Sequence, residues 1–325
     1  MSNRHPWRWV GLSLTGIAVV AGGATYYAYH QDMQAAHERI ATGSRVVETA
    51  AGPVELAEWG SGPAVLAVHG AGGGYDQGRV LAETLGGDRF HWIAPSRFGY
   101  LRSPLAADAS TPAQADAFAA LLDALGIERV AILAMSGGVP PSLQFALRYP
   151  QRTSALVLLS SAPYTPFAAE EQSLPIPAWL YQALFSSDFP FWAIEKIAPS
   201  RLAGIFDARV DNRARAREEA EPLLEGILRA FQPVTKRLDG LANEAAAIDP
   251  ETSYPLTEIA APALVVHARD DGINPFRIGE YTAERISRAI FVPLESGGHL
   301  LIGHQAEVRA RVSGFLLEHA GAENR

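Results

Sequence analysis

The 325-residue sequence contains no cysteine. That excludes disulfides, zinc–thiolate centres and a cysteine nucleophile, and leaves the redox compartment unread. Lysine is nearly absent, since Lys196 and Lys236 are the only two among 27 basic residues. An Ala- and Arg-rich, Lys-poor bias of this kind hints at a GC-rich bacterial genome. The formal net charge is −8 and no long basic run follows the first few residues, so nucleic acid is not an expected partner. No metal-ligand cluster stands out, and neither a metal nor a cofactor is expected. What is plentiful is apolar: 48% hydrophobic residues permit a sizeable core, and the length suits one large domain with an insertion.

Residues 9–29 form a 21-residue run without a charge, long enough to span a bilayer as a helix. Arg4 and Arg8 precede it, and Asp32, Glu38 and Arg39 follow. Trp7, Trp9, Tyr26, Tyr27 and Tyr29 bracket it as interfacial aromatics do. Residues 1–30 are therefore expected to be an N-terminal membrane anchor, with the bilayer as its partner. The positive flank lies at the N-terminus, which places the remaining chain in the periplasm or outside the cell. The competing reading is a cleaved signal peptide, with residues 10–21 as its apolar region and Gly22-Gly23-Ala24 as the small-residue site.

After a polar linker, short apolar runs alternate with helical patterns. Strands are expected over residues 45–49, 54–59, 64–68, 90–94, 130–134, 154–160, 263–268 and 289–294. Helices are expected over 75–85, 111–125, 277–287 and 305–319, the second with Thr111 as N-cap, Pro112 behind it and Gly126 at its end. This alternation implies an α/β domain with a mostly parallel central sheet covered by helices on both faces. It stops between about residues 165 and 255, which read as helices rich in aromatics such as Trp179, Tyr181, Phe185 and Trp192. The organisation is thus a core of residues 44–164 and 256–322 and a helical cap of residues 165–255. For any single cap aromatic, plain packing against the core is the simpler reading.

Chemistry concentrates where strands end. Ala134-Met135-Ser136-Gly137-Gly138 joins an apolar strand to a helix that begins near Pro140 and Pro141. A sharp turn there needs small flanking residues and pushes the serine hydroxyl out at the top of the sheet. The N–H of Gly137 would then face a developing oxyanion, helped by the helix that follows. A serine can also simply cap a helix, so Ser136 alone decides nothing. The loop His69-Gly70-Ala71-Gly72-Gly73-Gly74 follows another strand. A nucleotide site is the rival reading, but no Gly-Lys-Ser/Thr follows and no dinucleotide fingerprint with its downstream acid is present. The loop instead suits a second oxyanion N–H, from Ala71, with His69 and Gly70 in support. Ala268-Arg269-Asp270-Asp271 and Gly297-Gly298-His299 end the two resumed strands. Serine, acid and histidine in this order, each at a strand's carboxyl end, fit the place where open α/β sheets gather their ligands.

These residues resemble the α/β-hydrolase family from about Ser44 to the C-terminus, the variable cap excepted. The stretch from Ser96 to Ser103 and the ending from His299 to His304 are similar to a bacterial subgroup with no firm substrate. Ala134 and Ala268 stand where the family often has glycine. The resemblance implies Ser136 as nucleophile, His299 as general base and Asp271 as the acid that orients it. Proton traffic agrees, because a serine hydroxyl is a poor nucleophile until a neutral imidazole takes its proton.

The activity expected first is a serine hydrolase acting on an ester of a small or lipophilic acid. Hydrolysis of a carbon–carbon bond in a diketone, amide or thioester cleavage, and cofactor-free perhydrolysis use the same triad. A hydrolase-fold protein that binds a small molecule without turnover is the alternative from a different class.

Overall fold

The computed structural model describes residues 6–173, 176–208, 217–246, 248 and 250–321. Eight strands form one sheet: β1 (Arg45–Thr49), β2 (Gly52–Trp59), β3 (Ala64–Val68), β4 (His91–Pro95), β5 (Val130–Met135), β6 (Thr153–Leu159), β7 (Ala263–Ala268) and β8 (Ala289–Leu294). Their order is β1-β2-β4-β3-β5-β6-β7-β8. β2 is antiparallel to both neighbours, and every pairing from β4 and β3 onward is parallel. The described helices are α1 (Pro6–Thr42), α2 (Tyr75–Leu81), α3 (Thr111–Ala124), α4 (Val139–Arg148), α5 (Ala178–Leu184), α6 (Asp188–Ile197), α7 (Pro199–Ile205), α8 (Arg217–Ala230), α9 (Leu238–Ala246), α10 (Phe276–Arg285) and α11 (Gln305–His319).

The central strands β5, β6 and β7 are buried at every position. This is why they read as unbroken apolar runs rather than alternating ones. Period two survives in where the side chains go. Ala131, Leu133 and Met135 join the cluster that holds Leu81 of α2 and Val308 and Val312 of α11. Val130, Ile132 and Ala134 join the opposite cluster, with Phe118 of α3, Leu143 of α4 and Ile278 of α10. Cap residues such as Leu184, Phe191 and Leu224 extend the first cluster.

Two details depart from the sequence reading. The N-cap of α3 is Ser110, whose hydroxyl accepts from Ala113 N at 3.3 Å, one residue before the expected Thr111. The helix begun by α2 ends in a π-helical turn, Ala82–Gly86.

The larger correction concerns the N-terminus. Among the described residues no helix is long and apolar enough to cross a membrane, so a spanning anchor and the bilayer as a partner are not supported. Residues 9–29 do lie in the helix α1, but most side chains of its first dozen residues fall outside the described ones. From His30 onward α1 is polar and its buried face packs on protein. Met33, Ala36 and Ile40 are buried, and Tyr29 meets Phe189 and Trp192 edge-on. Asp32 accepts from Trp192 Nε1 at 2.8 Å and pairs with Lys196 of α6. Arg39 donates to Asp76 at 2.7 Å and to the carbonyls of Arg229 and Gln232.

Candidate active site

The turn after β5 sets Ser136 in a left-handed conformation, with φ of 52°. A non-glycine residue there costs of order 1–3 kcal/mol and persists only when its surroundings dictate it. They do so by close approach. A side chain at Gly70 would come 3.2 Å from Ser136 Cβ, and one at Gly138 would come 2.6 Å from the His69 carbonyl oxygen. The small residues around Ser136 are therefore steric requirements. A short 3₁₀ turn, Ser136–Gly138, leads into α4, whose first turn holds Pro140 and Pro141 without wasting an N–H.

Asp271 follows β7 in a turn that closes on its own carboxylate. Its Oδ1 accepts from the N–H groups of Ile273 and Asn274, both at 2.9 Å. Its Oδ2 accepts from His299 Nδ1 at 3.0 Å, and His267 Nε2 lies 3.2 Å away. Burial would raise this carboxyl's pKa, but attraction to His299 and the bonds from both histidines outweigh it and hold the group well below the usual carboxylate range. His299 is shifted the other way. Burial alone would lower its pKa, yet the Asp271 charge and hydrogen bond leave it raised above the ordinary imidazole value. Because Nδ1 is committed to Asp271, Nε2 is the ring nitrogen left for chemistry.

The loop carrying His299 is fixed from three sides. Gly298 N donates to Asp270 Oδ1 at 2.9 Å, His299 N to Asp207 Oδ2 at 3.2 Å, and Ser160 Oγ to the His299 carbonyl at 2.8 Å. Asp270 thus braces the histidine loop. His304 lies away from this contact and pairs with Glu307 of α11.

Ser136, His299, Gly70 and Ala71 line one cavity of about 360 Å³ beneath the cap. Tyr181, Phe185, Ile205, Phe206, Ile227, Phe231 and Leu241 form its apolar roof. Ser136 Oγ receives a long contact from Asn274 Nδ2 at 3.4 Å. No described hydrogen bond joins it to His299, which is common before a substrate closes the geometry. In the loop after β3, Gly70 N is taken by Gln77 Oε1, Gly72 N by Tyr100 OH and Gly73 N by the Gly70 carbonyl. Ala71 stands among these engaged amides on the cavity wall. Gly137 lies against Glu244 of α9.

The chain matches the alpha/beta hydrolase fold over residues 63–303. It belongs to the α/β-hydrolase family. It is 29% identical over 282 residues to a 2-hydroxymuconate semialdehyde hydrolase of Pseudomonas sp. (strain CF600), covering 81% of this chain and 90% of that one. It is 28% identical over 214 residues to a 2-hydroxy-6-oxononadienedioate/2-hydroxy-6-oxononatrienedioate hydrolase of Paraburkholderia phymatum, covering 62% of this chain and 65% of the relative. Among solved structures it resembles an alpha/beta hydrolase fold protein from Nakamurella multipartita, with a TM-score of 0.74 and 27% identity over 86% of this chain and all of that one.

Several residues of this hydrolase-fold site carry no signal in the sequence. His69, expected only to support the loop after β3, itself shows how such residues are tied together. Its Nδ1 bonds the Gly70 carbonyl at 2.7 Å and its Nε2 accepts from Arg97 N at 3.0 Å, which fixes one neutral tautomer. Burial, seconded by the Arg97 charge, keeps its pKa well below the imidazole norm. Arg97 Nε holds the His69 carbonyl at 3.0 Å, and Nη2 is in close ion-pair contact with Glu244 Oε1. Tyr100 OH donates to the same oxygen at 2.5 Å. Asp207, His267 and Asn274 are equally invisible, because each acts across more than a strand's length of sequence or from behind the acid.

Proposed function

We propose that this protein is a serine hydrolase that cleaves a carbon–carbon bond beside a carbonyl in a small, largely apolar ketone or aldehyde, through an acyl-enzyme on Ser136. The observation that carries the serine chemistry is the Asp271–His299 pair with Ser136 on the wall of one apolar cavity. His299 Nε2 takes the Ser136 proton as Oγ adds to the carbonyl. The N–H groups of Ala71 and Gly137 hold the resulting oxyanion, each contributing about 2.7–4 kcal/mol by analogy with single-donor removal. Collapse breaks the carbon–carbon bond to a leaving group that a second carbonyl of the substrate stabilises as an enolate. That group takes the proton held on His299 Nε2, and water activated by the same base then releases the acyl group.

The leaving group is argued from the relatives. Neither 2-hydroxymuconate semialdehyde nor 2-hydroxy-6-oxononadienedioate contains an ester, amide or thioester, so hydrolysing either must break a carbon–carbon bond. An ester of a small or lipophilic acid is the second reading. It is favoured by the cavity itself, whose described lining holds no Lys or Arg to receive a dioate. Labelling with a fluorophosphonate, followed by turnover of matched vinylogous diketones, esters, amides and thioesters, tests both. Diketone cleavage with the highest kcat/KM supports the proposal, and ester turnover alone replaces it. A folded protein that neither labels nor turns over any of them would be a binding protein.

We further propose placement of the domain outside the cytoplasm, with the apolar run behind Arg4 and Arg8 serving as an export signal. A C-terminal reporter active only outside the cytoplasm tests that placement, and a silent reporter overturns it.

A further inference from the structure

We propose that Glu244 sets the substrate's charge: its free carboxylate oxygen selects acyl groups that present a hydrogen-bond donor or cation near Gly137 and rejects those that present a carboxylate. The inference rests on Ser136 being the nucleophile of this cavity. Glu244 is on α9, faces the cavity and is only partly buried. Both hydrogen bonds it receives, from Arg97 Nη2 and Tyr100 OH, end on Oε1. Among the described residues no hydrogen bond ends on Oε2, and that oxygen is the one turned toward the nucleophile turn. A Cβ added to Gly137 would lie 2.5 Å from Oε2 and 3.4 Å from Arg97 Nη2.

The companion cation is not available to a substrate. Arg97 is buried, its Nε is spent on the His69 carbonyl, and its Nη2 is spent on Glu244. Its ionised form is held by the Glu244 charge against the cost of burial. A carboxylate entering this corner would therefore meet Oε2 first, with no free described cation on the wall. A hydroxyl, an enol or a cation would complete the one open acceptor.

There is a catalytic consequence. Oε2 faces the Gly137 position of the nucleophile turn, the side on which the proposed oxyanion develops during acylation. Like charges brought together there repel, to the extent that the Arg97 guanidinium on Oε1 leaves the Glu244 charge uncompensated. A substrate donor placed between them relieves that repulsion. Recognition should then appear in kcat as well as in KM.

The test uses the full chain and 4-nitrophenyl esters of several matched chain lengths, with acyl chains ending in methyl, hydroxyl, trimethylammonium or carboxylate. For wild type, the hydroxyl and cationic esters should exceed the methyl ester in kcat/KM, and the carboxylate ester should fall about tenfold or more below it. In Glu244→Gln the carboxylate-to-methyl ratio should rise about tenfold and the advantage of the cation should vanish. A ratio of two esters on one enzyme is insensitive to lost stability. Tyr100→Phe removes a bond to Oε1 but keeps the charge, so it should leave the ratio at its wild-type value. Unchanged ratios in Glu244→Gln, or the same shift in Tyr100→Phe, overturn the proposal. Inhibition of wild type by matched boronic acids must show the same ranking, and a different ranking overturns the proposal even if the variant does not fold. Ser136→Ala turning over these esters would instead overturn the nucleophile, whatever Glu244 does.

Discussion

The carboxyl edge of the sheet and the segment that covers it are held together in different ways. At the edge, the catalytic acid is held first by neighbours two and three residues away. Asp271 bonds the N–H groups of Ile273 and Asn274, so its geometry is written into one turn. The cover is tied by pairs far apart in sequence. Arg237 reaches Asp76 across 161 residues, and Arg97 reaches Glu244 across 147. The turn of the acid therefore keeps its geometry if the cover changes, with Asp207 of the cover adding bonds to Gly272 N and His299 N, whereas the cover and the pocket shape it sets depend on a few polar contacts. Local construction suits groups that must hold a geometry; distant ties suit a surface that varies with substrate.

The largest test of that contrast strikes the edge. Ser136→Ala should fold normally, lose all fluorophosphonate labelling and lower kcat by about 10⁶, as removal of a triad serine does. Undiminished turnover would remove the edge from the chemistry altogether. Asp271→Asn comes next, with kcat down about 10⁴. It also makes a claim about pH. Activity needs neutral His299, so kcat/KM of wild type should fall as pH drops through a value above the ordinary imidazole pKa of about 6.5. Asparagine removes the attraction that raises His299 and leaves the burial that lowers it. The acid limb should therefore move to lower pH in Asp271→Asn, and a limb that stays in place would mean another group sets it.

The two regions are unequally readable from sequence. β5, β6 and β7 stand out because strands buried on both faces must be apolar throughout. Ser136 and Asp271 stand out because each follows such a strand, and His299 because it sits behind Gly297 and Gly298 after the last, half-exposed strand. The aromatics of the cover suggest helices, and Phe185, Phe191 and Phe231 indeed pack on one another. Glu244, Arg237 and Asp207 are unreadable, since an isolated charge in a helical or irregular stretch looks like a solvated surface. Their meaning comes only from which distant residue they meet. The N-terminal run misleads for a related reason: an uncharged stretch shows length and polarity, but not what the polar half behind it packs against.

Arg237→Met tests the cover. Arg237 is fully buried, donates to both Asp76 oxygens and holds the Gly73 carbonyl of the loop after β3. Breaking a buried pair leaves a charge uncompensated and costs about 3–5 kcal/mol. Arg39 still reaches Asp76, so the loss should fall at the lower end, about 3 kcal/mol in urea unfolding. A loss under about 1 kcal/mol would mean that apolar packing, rather than distant polar ties, secures the cover.

The smallest effect is expected at Asp270, next to the residue with one of the largest. Asp270 Oδ1 accepts from Gly298 N at 2.9 Å and so supports the histidine loop without touching His299. Asparagine keeps a carbonyl oxygen that can accept the same bond, so Asp270→Asn should lower kcat less than about tenfold and leave the pH profile in place. Alanine removes the acceptor, and Asp270→Ala should cost about 1–2 kcal/mol of stability as the Gly298 N–H loses its partner. Kinetics of the two variants beside Asp271→Asn separate a carboxylate that shapes a loop from one that fixes a tautomer. If Asp270→Asn instead lost activity as steeply as Asp271→Asn and shifted the acid limb with it, the orienting acid would be Asp270, and the turn that closes on Asp271 would be only structural.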